Sequence, residues 1–117
     1  MSEIRLDLQV NGKKKTFTQD FIPYRKALEY TEQEAKLWKK DKEGQEVAPK
    51  ESELAKFRAD FVAGLFDDTD LTGEVILDGL DVENKGVLMD IVLYRLLGYE
   101  RLDEVTQDPK ELENQSA

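Results

Sequence analysis

The 117-residue sequence contains no cysteine and no histidine. Without cysteine there is no disulfide framework, no thiol nucleophile and no cysteine-ligated zinc. Without histidine the chain lacks the commonest general base and metal ligand, and with them every Ser–His or Cys–His catalytic arrangement. A glycine-rich phosphate-binding loop is missing as well. We therefore predict that the protein is not an enzyme and that it holds no cofactor.

Long apolar runs are also absent from the sequence. No stretch approaches the roughly 20 apolar residues that a membrane-spanning helix requires. The N-terminus lacks the apolar core of a signal peptide. These two absences predict a cytoplasmic protein that has no membrane partner.

Negative charge dominates, and it is unevenly distributed. The net charge is −9, with nine Lys/Arg against six Asp/Glu in residues 1–40 and eight against twenty in residues 41–117. An acidic chain repels phosphate, so we predict no nucleic-acid partner. The asymmetry favours head-to-tail self-association, which gives rings or spirals when it is repeated. An acidic nucleic-acid mimic that occupies the basic groove of a DNA-binding protein is an alternative.

The N-terminal segment predicts a β-hairpin. Residues Ile4–Val10 alternate apolar and polar side chains, which is the period of a half-buried strand. The Asn-Gly pair at 11–12 favours a type I′ turn, and Lys13–Thr18 returns as the second strand. This turn sets Leu6 opposite Phe17. An isolated hairpin is marginally stable, so its apolar face needs a cover.

Helical periodicity follows the hairpin and predicts an α+β, mainly α fold: an N-terminal β-hairpin packed on a small bundle of three to four helices. The predicted helices span residues 24–40, a segment that starts near Ser52, residues 72–80 and residues 85–97. A polar, flexible connector is expected over residues 40–50, and Gly98 is the expected stop of the last helix. We expect one domain over residues 1–98 and an acidic, mostly disordered tail over residues 99–117.

Large apolar side chains recur along the first two predicted helices. Such stripes form the core of a bundle or, where they stay exposed, bind a partner. The candidates for partner binding are Tyr24, Leu28, Trp38, Phe57, Phe61, Leu65 and Phe66. For the core itself the same periodicity predicts Phe57, Phe61, Leu88, Ile91 and Leu96.

An acidic segment after the second predicted helix partly matches an EF-hand calcium loop. Asp68, Asp70 and Thr72 fall on the first three ligand positions, and Gly73 falls on the turn position. The position of the bidentate glutamate is occupied by Gly79, which has no side-chain oxygen. We therefore predict a capped helix start and no metal site. A calcium-responsive regulator is the alternative.

Several short motifs carry a family resemblance over residues 4–98. They are the run Phe17–Pro23 that leads into a helix with Arg25, Leu28 and Glu29, the segment Phe61–Phe66, the segment Leu77–Leu80, and the apolar helix that ends at Gly98. In this order they resemble the tail assembly chaperones of long-tailed phages and prophages of Gram-positive bacteria.

The resemblance implies a non-enzymatic scaffold for phage tail assembly. Chaperones of this family bind the tape measure protein, which is long, helical and prone to aggregation, before the tail tube polymerises around it. They help to recruit the major tail protein. They act in the cytoplasm of the bacterial host and are absent from the mature virion. Many are also made in a longer form by a programmed frameshift.

Overall fold

The computed structural model describes residues 3–99, and these form an α+β, mainly α fold in which an N-terminal β-hairpin packs on a small bundle of helices. The elements are β1 (Ile4–Val10), β2 (Lys13–Gln19), α1 (Tyr24–Ala35), β3 (Lys39–Lys40), β4 (Glu46–Val47), α2 (Glu51–Ala63), α3 (Gly73–Gly79), a 3₁₀ turn (Val82–Asn84) and α4 (Val87–Asp90), which continues as a π-helical segment (Ile91–Leu96). The predicted fold class is confirmed. Apart from Tyr99, the predicted tail lies outside the described residues.

The hairpin has the predicted register. β1 and β2 are antiparallel, and Leu6 pairs with Phe17. Asn11 and Gly12 have φ values of 55° and 78°, the left-handed conformation that a type I′ turn requires at both central positions. Ile4, Leu6 and Leu8 of β1 are buried and Val10 is partly buried, and Phe17 is the buried residue of β2.

α3 lies between the hairpin and α2, and a glycine stands at each of its ends. A Cβ atom at Gly73 would lie 1.7 Å from a carboxylate oxygen of Asp60 in α2. A Cβ atom at Gly79 would lie 2.6 Å from the backbone oxygen of Gln9 in β1. The backbone of α3 therefore approaches both neighbours more closely than a residue with a side chain would allow.

One contiguous core joins the hairpin, α2, α3 and the last helix. Its buried residues are Ile4, Leu6, Leu8, Phe17, Tyr30, Ala59, Val62, Ala63, Leu65, Phe66, Leu71, Ile76, Leu88, Ile91, Val92 and Leu96. Of the predicted core residues, Leu88, Ile91 and Leu96 are buried, as expected. Phe57 and Phe61 are only partly buried and pack against this core.

The last helix ends as the sequence predicts. The N–H of Leu97 donates to the carbonyl of Val92 over 2.9 Å, a five-residue spacing that continues the π-helical hydrogen bonding. Gly98 then takes a φ of 79°, and the N–H of Tyr99 bonds back to the carbonyl of Leu93 over 2.9 Å. The left-handed glycine terminates the helix and places the N–H of Tyr99 where it satisfies the carbonyl of Leu93.

Two local predictions were wrong between α1 and α2. α1 ends at Ala35, five residues before the predicted end at Lys40, because residues 36–38 form a tight turn whose N–H groups bond three residues back. The predicted flexible connector contains the short hairpin of β3 and β4. The Asp41 carboxylate forms this hairpin's turn by accepting hydrogen bonds from the N–H groups of Glu43 and Gln45, each over 2.9 Å.

Candidate partner-binding surface

α1 has one face toward the core and one toward solvent. Tyr30 is the buried residue of this helix. Tyr24 and Leu28 are four residues apart, so they lie on one face of the helix, and their side chains are 78% and 52% exposed. Large apolar side chains at this exposure do not contribute to the packing of the monomer as core residues do. They leave an apolar strip on the outside of α1.

An aromatic cluster holds α1 against α2. The Tyr30 ring lies 5.3 Å from the Phe57 ring and 5.1 Å from the Phe61 ring, centroid to centroid, and the second pair meets edge to face at 82°. These are favourable aromatic geometries. Phe57 and Phe61 are therefore engaged with Tyr30 underneath α1, on the side away from Tyr24 and Leu28.

A hydrogen bond fixes the orientation of Tyr30. Its hydroxyl donates to the carboxylate Oε2 of Glu34, one turn further along α1, over 2.5 Å. Burial and then this hydrogen bond raise the pKa of Tyr30 to about 12, so the phenol stays neutral at neutral pH. Because Tyr30 is held in the core, the opposite face of α1 has to point outward.

A second anchor attaches the segment that precedes α1 to the last helix. The Arg95 guanidinium donates to the backbone oxygen of Asp20 over 2.7 Å. Beside this contact a crevice of about 230 Å³ opens at the rim of the exposed strip. It is lined by Ile22, Pro23, Tyr24, Ala27, Arg95 and Leu96. It is a recess that can take one side chain of a partner.

Three further exposed side chains lie close to α1 in sequence. Phe21 precedes the helix and is 67% exposed, Trp38 follows it, and Val47 in β4 pairs with Lys39, the residue after Trp38. We call the exposed side chains Phe21, Tyr24, Leu28, Trp38 and Val47 together the arm surface; of these, Tyr24 and Leu28 share one face of α1. Phe21 lies outside the helical period and Val47 is an isolated apolar residue in a polar stretch, so the sequence pattern singles out neither of them.

The seven candidates for partner binding thus fall into three groups. Tyr24, Leu28 and Trp38 are exposed, whereas Phe57 and Phe61 are half-buried against Tyr30. The remaining two candidates, Leu65 and Phe66, are buried in the core. The structure brings the first two of the exposed residues together on α1.

The acidic segment before α3 uses its oxygens for the turn and the helix start. The Asp68 carboxylate accepts from the N–H of Asp70 over 2.9 Å, and Asp70 forms an ion pair with Lys15 over 3.7 Å. Thr72 is the N-cap of α3 and accepts from the N–H of Val75 over 3.2 Å. Among residues 3–99, no group of three or more acidic side chains is arranged to hold a metal ion.

Within residues 3–99, no helix combines the length and the apolar character needed to cross a membrane.

Comparison with known proteins places the chain in a family. No curated protein and no solved structure matches the chain significantly. A family model described as phage tail chaperone protein matches residues 1–115. The match spans nearly all of the sequence, so the chain belongs to the phage tail chaperone protein family.

Proposed function

We propose that this protein is a non-enzymatic tail assembly chaperone that binds the tape measure protein through the arm surface. In the cytoplasm of the bacterial host it would keep this long helical client soluble and help to recruit the major tail protein. It would leave before the virion is complete. Membership of the phage tail chaperone family supports the general role, and the resemblance to the Gram-positive tail assembly chaperones supports the choice of partners.

The exposed strip on α1 is the observation that carries the proposal. Tyr24 and Leu28 are one helical turn apart, which matches the spacing of apolar residues on one face of another helix. The crevice beside Tyr24 offers a recess for a side chain of the client next to the strip. Aromatic anchors beside a pocket commonly supply most of the binding energy of such interfaces.

Charge around the strip supports solubility of the complex. Lys26 and Glu29 form an ion pair over 3.7 Å on α1, so the apolar strip has a polar border. The net charge of −9 favours dispersal of a complex whose client tends to aggregate. We restrict the proposed client surface to the arm surface, because Leu65 and Phe66 are core residues and Phe57 and Phe61 hold α1 in place.

Co-expression with the tape measure protein tests the proposal. The double variant Tyr24→Ala/Leu28→Ala should keep the circular dichroism spectrum of the wild type and lose the ability to keep the client soluble. Loss of one interface anchor costs about 2 kcal/mol or more, roughly a thirtyfold weakening. The control is Val82→Ala, an equally exposed apolar residue in the 3₁₀ turn. A folded double variant that solubilises the client as well as the control does would refute the arm surface.

Recruitment of the major tail protein needs its own measurement. Size-exclusion chromatography of the purified chaperone–tape measure complex with added major tail protein should give a species that contains all three proteins. If the major tail protein elutes alone at micromolar concentrations, the recruiting part of the proposal is wrong, whatever the result for the tape measure protein.

A further inference from the structure

The backbone of β1 has a free edge. The type I′ turn makes the pair next to it, Val10 and Lys13, a hydrogen-bonded pair, and such pairs alternate along an antiparallel ladder. The N–H and C=O groups of Arg5, Asp7 and Gln9 therefore point away from β2. The end of α3 covers Gln9, since Gly79 lies against its carbonyl oxygen. Within residues 3–99, Arg5 and Asp7 form no backbone hydrogen bond outside the hairpin.

A cleft of about 450 Å³ runs along this uncovered part of the edge. Its lining includes three consecutive residues of β1, which is the pattern of a strand edge, and on the other side the chain after α3 together with α4. The lining residues are Arg5, Leu6, Asp7, Leu80, Glu83, Asn84, Gly86, Val87 and Asp90. Four unpaired backbone groups therefore lie at the border of this open cleft.

The charge of the cleft selects its ligand. Asp7, Glu83 and Asp90 contribute three carboxylates, and Arg5 is the single cation in the lining. The Arg5 guanidinium is already paired with the Asp7 carboxylate over 3.2 Å. Glu83 and Asp90 are exposed and remain available to a positively charged ligand. We propose that the free edge of β1 binds an extended segment of a partner protein, rich in Lys or Arg, which adds as a third strand to the hairpin.

A second copy of this chain fits the cleft poorly. The basic strand that it would offer is β2, but the acidic loop before α3 accompanies that strand. Asp70 pairs with Lys15 over 3.7 Å, and Gln19 bonds to Asp67, so the second copy would bring its own carboxylates against Glu83 and Asp90. The C-terminal segment 100–117 is also a poor ligand, since it holds six Asp/Glu against two Lys/Arg. Like charges disfavour both occupants.

Strand addition is a recognised way to bind an extended peptide, with main-chain hydrogen bonds for affinity and side-chain contacts for selection. This site is separate from the arm surface, and it goes beyond the proposed function by adding a second type of partner segment. A chaperone that holds a helical client at α1 would thereby keep β1 available for a basic, extended segment of another protein.

The inference is tested by measuring amide hydrogen exchange of the protein with and without a bound peptide. The probe is the hexapeptide acetyl-Lys-Val-Lys-Val-Lys-Val-amide, and the comparison peptide has Glu in place of each Lys. We expect the Lys peptide to slow exchange at the amides of Arg5 and Asp7, and the Glu peptide to leave them unchanged. Glu83→Gln/Asp90→Asn should weaken binding about fivefold, as loss of two exposed ion pairs does. Glu43→Gln/Glu46→Gln, with the same charge change at residues that do not line the cleft, is the control.

A matched pair of proline variants tests the backbone contacts. Arg5→Pro removes an N–H that points to the free edge of β1 and leaves the hydrogen bonds of the hairpin intact. Thr18→Pro makes the same change in the residue that pairs with Arg5 on β2. If both fold, Arg5→Pro should abolish peptide binding and Thr18→Pro should retain it. If either unfolds, the charge variants decide.

Three results would overturn the inference. The Lys peptide could fail to bind, it could bind without protecting Arg5 and Asp7, or the same amides could be protected by self-association without any peptide. Tyr24→Ala/Leu28→Ala should bind the Lys peptide like the wild type. A failure at the β1 edge is therefore distinguishable from a failure of the arm surface.

Discussion

Gly79 and Gln9 are in such close contact that a Cβ atom at Gly79 would lie 2.6 Å from the backbone oxygen of Gln9. The same atom would lie 3.2 Å from the Cβ of Leu8. Neither neighbour can rotate away, because one is backbone and the other is the first side-chain atom of a buried residue. The end of α3 and the strand β1 therefore meet through a glycine.

Gly79→Ala should destabilise the fold by about 1–3 kcal/mol, the usual cost of forcing an extra methyl group into a packed site. Urea unfolding followed by circular dichroism measures the change. Gly86→Ala is the matched control, since a Cβ there meets no atom within 4 Å and its φ of −72° is ordinary. Equal stabilities for the two variants would contradict the packing of α3 against β1.

Ionisation of Tyr30 should make stability fall at high pH. An unfolded tyrosine titrates near pH 10, whereas burial and then the Glu34 hydrogen bond raise the pKa of Tyr30 to about 12 in the folded protein. The folded state keeps its proton longer, so this contribution is complete below about pH 10 and is lost as pH rises toward 12. The expected loss is up to about 2 kcal/mol.

The comparison with Tyr30→Phe isolates this effect from the other groups that titrate at high pH. Urea unfolding at several pH values between 9 and 12 should show a steeper loss of stability for the wild type than for the variant. Parallel curves would mean that the Tyr30 hydroxyl is not held in the core as the 2.5 Å hydrogen bond indicates.

Features set by neighbouring residues could be predicted from the sequence. The register of the hairpin follows from the Asn-Gly turn and the alternation in β1, and the end of the last helix follows from the left-handed Gly98. The start of α3 follows from the capping residue Thr72. Each of these depends on backbone preferences that act over a few residues.

The features that depend on tertiary packing could not be predicted from the sequence. Periodicity alone continues the α2 stripe to Leu65 and Phe66, but α2 ends at Ala63, and the N–H groups of Leu65 and Phe66 bond three residues back. This turn carries both side chains into the core. The error at α1 has another cause: its period runs on to Trp38, whereas the turn signal of Asp41 and the left-handed Gly44 is local and outweighs the period. The division between core and surface depends on such turns.

Calcium should leave the melting temperature nearly unchanged. Asp70 is paired with Lys15, Thr72 caps α3, and Gly79 provides no clamp ligand. A site with calcium at 100 times its Kd would add about 2.7 kcal/mol. Differential scanning fluorimetry with and without millimolar calcium checks this, with Asp68→Ala as the control. A rise of many degrees that Asp68→Ala abolishes would restore the regulator interpretation.

Head-to-tail self-association stays a prediction from the uneven charge. Sedimentation velocity at low salt and high protein concentration should show species larger than the monomer, and about 0.15 M salt should reduce them, since it screens exposed charges beyond about 8 Å. The basic N-terminal third and the acidic remainder would supply the contact. A single monomeric species at low salt and high concentration would refute it.

Core and surface aromatic or aliphatic side chains should respond differently to truncation. Phe66→Ala empties a buried site and should cost about 3–5 kcal/mol, a large part of the total stability of a small domain. Leu28→Ala removes a 52% exposed side chain and should change stability by no more than about 0.5 kcal/mol. Phe61→Ala should fall between them, because it removes the edge-to-face contact with Tyr30 and loosens α1.

Urea unfolding of the three variants, followed by client solubilisation for those that fold, gives the decisive pattern. Leu28→Ala should unfold like the wild type and solubilise the tape measure protein less well. Phe61→Ala should lose both stability and solubilisation, since the orientation of α1 depends on the aromatic cluster beneath it. If Leu28→Ala proves as destabilising as Phe66→Ala, the outer face of α1 is packed against the monomer, and the arm surface is not free to bind a client.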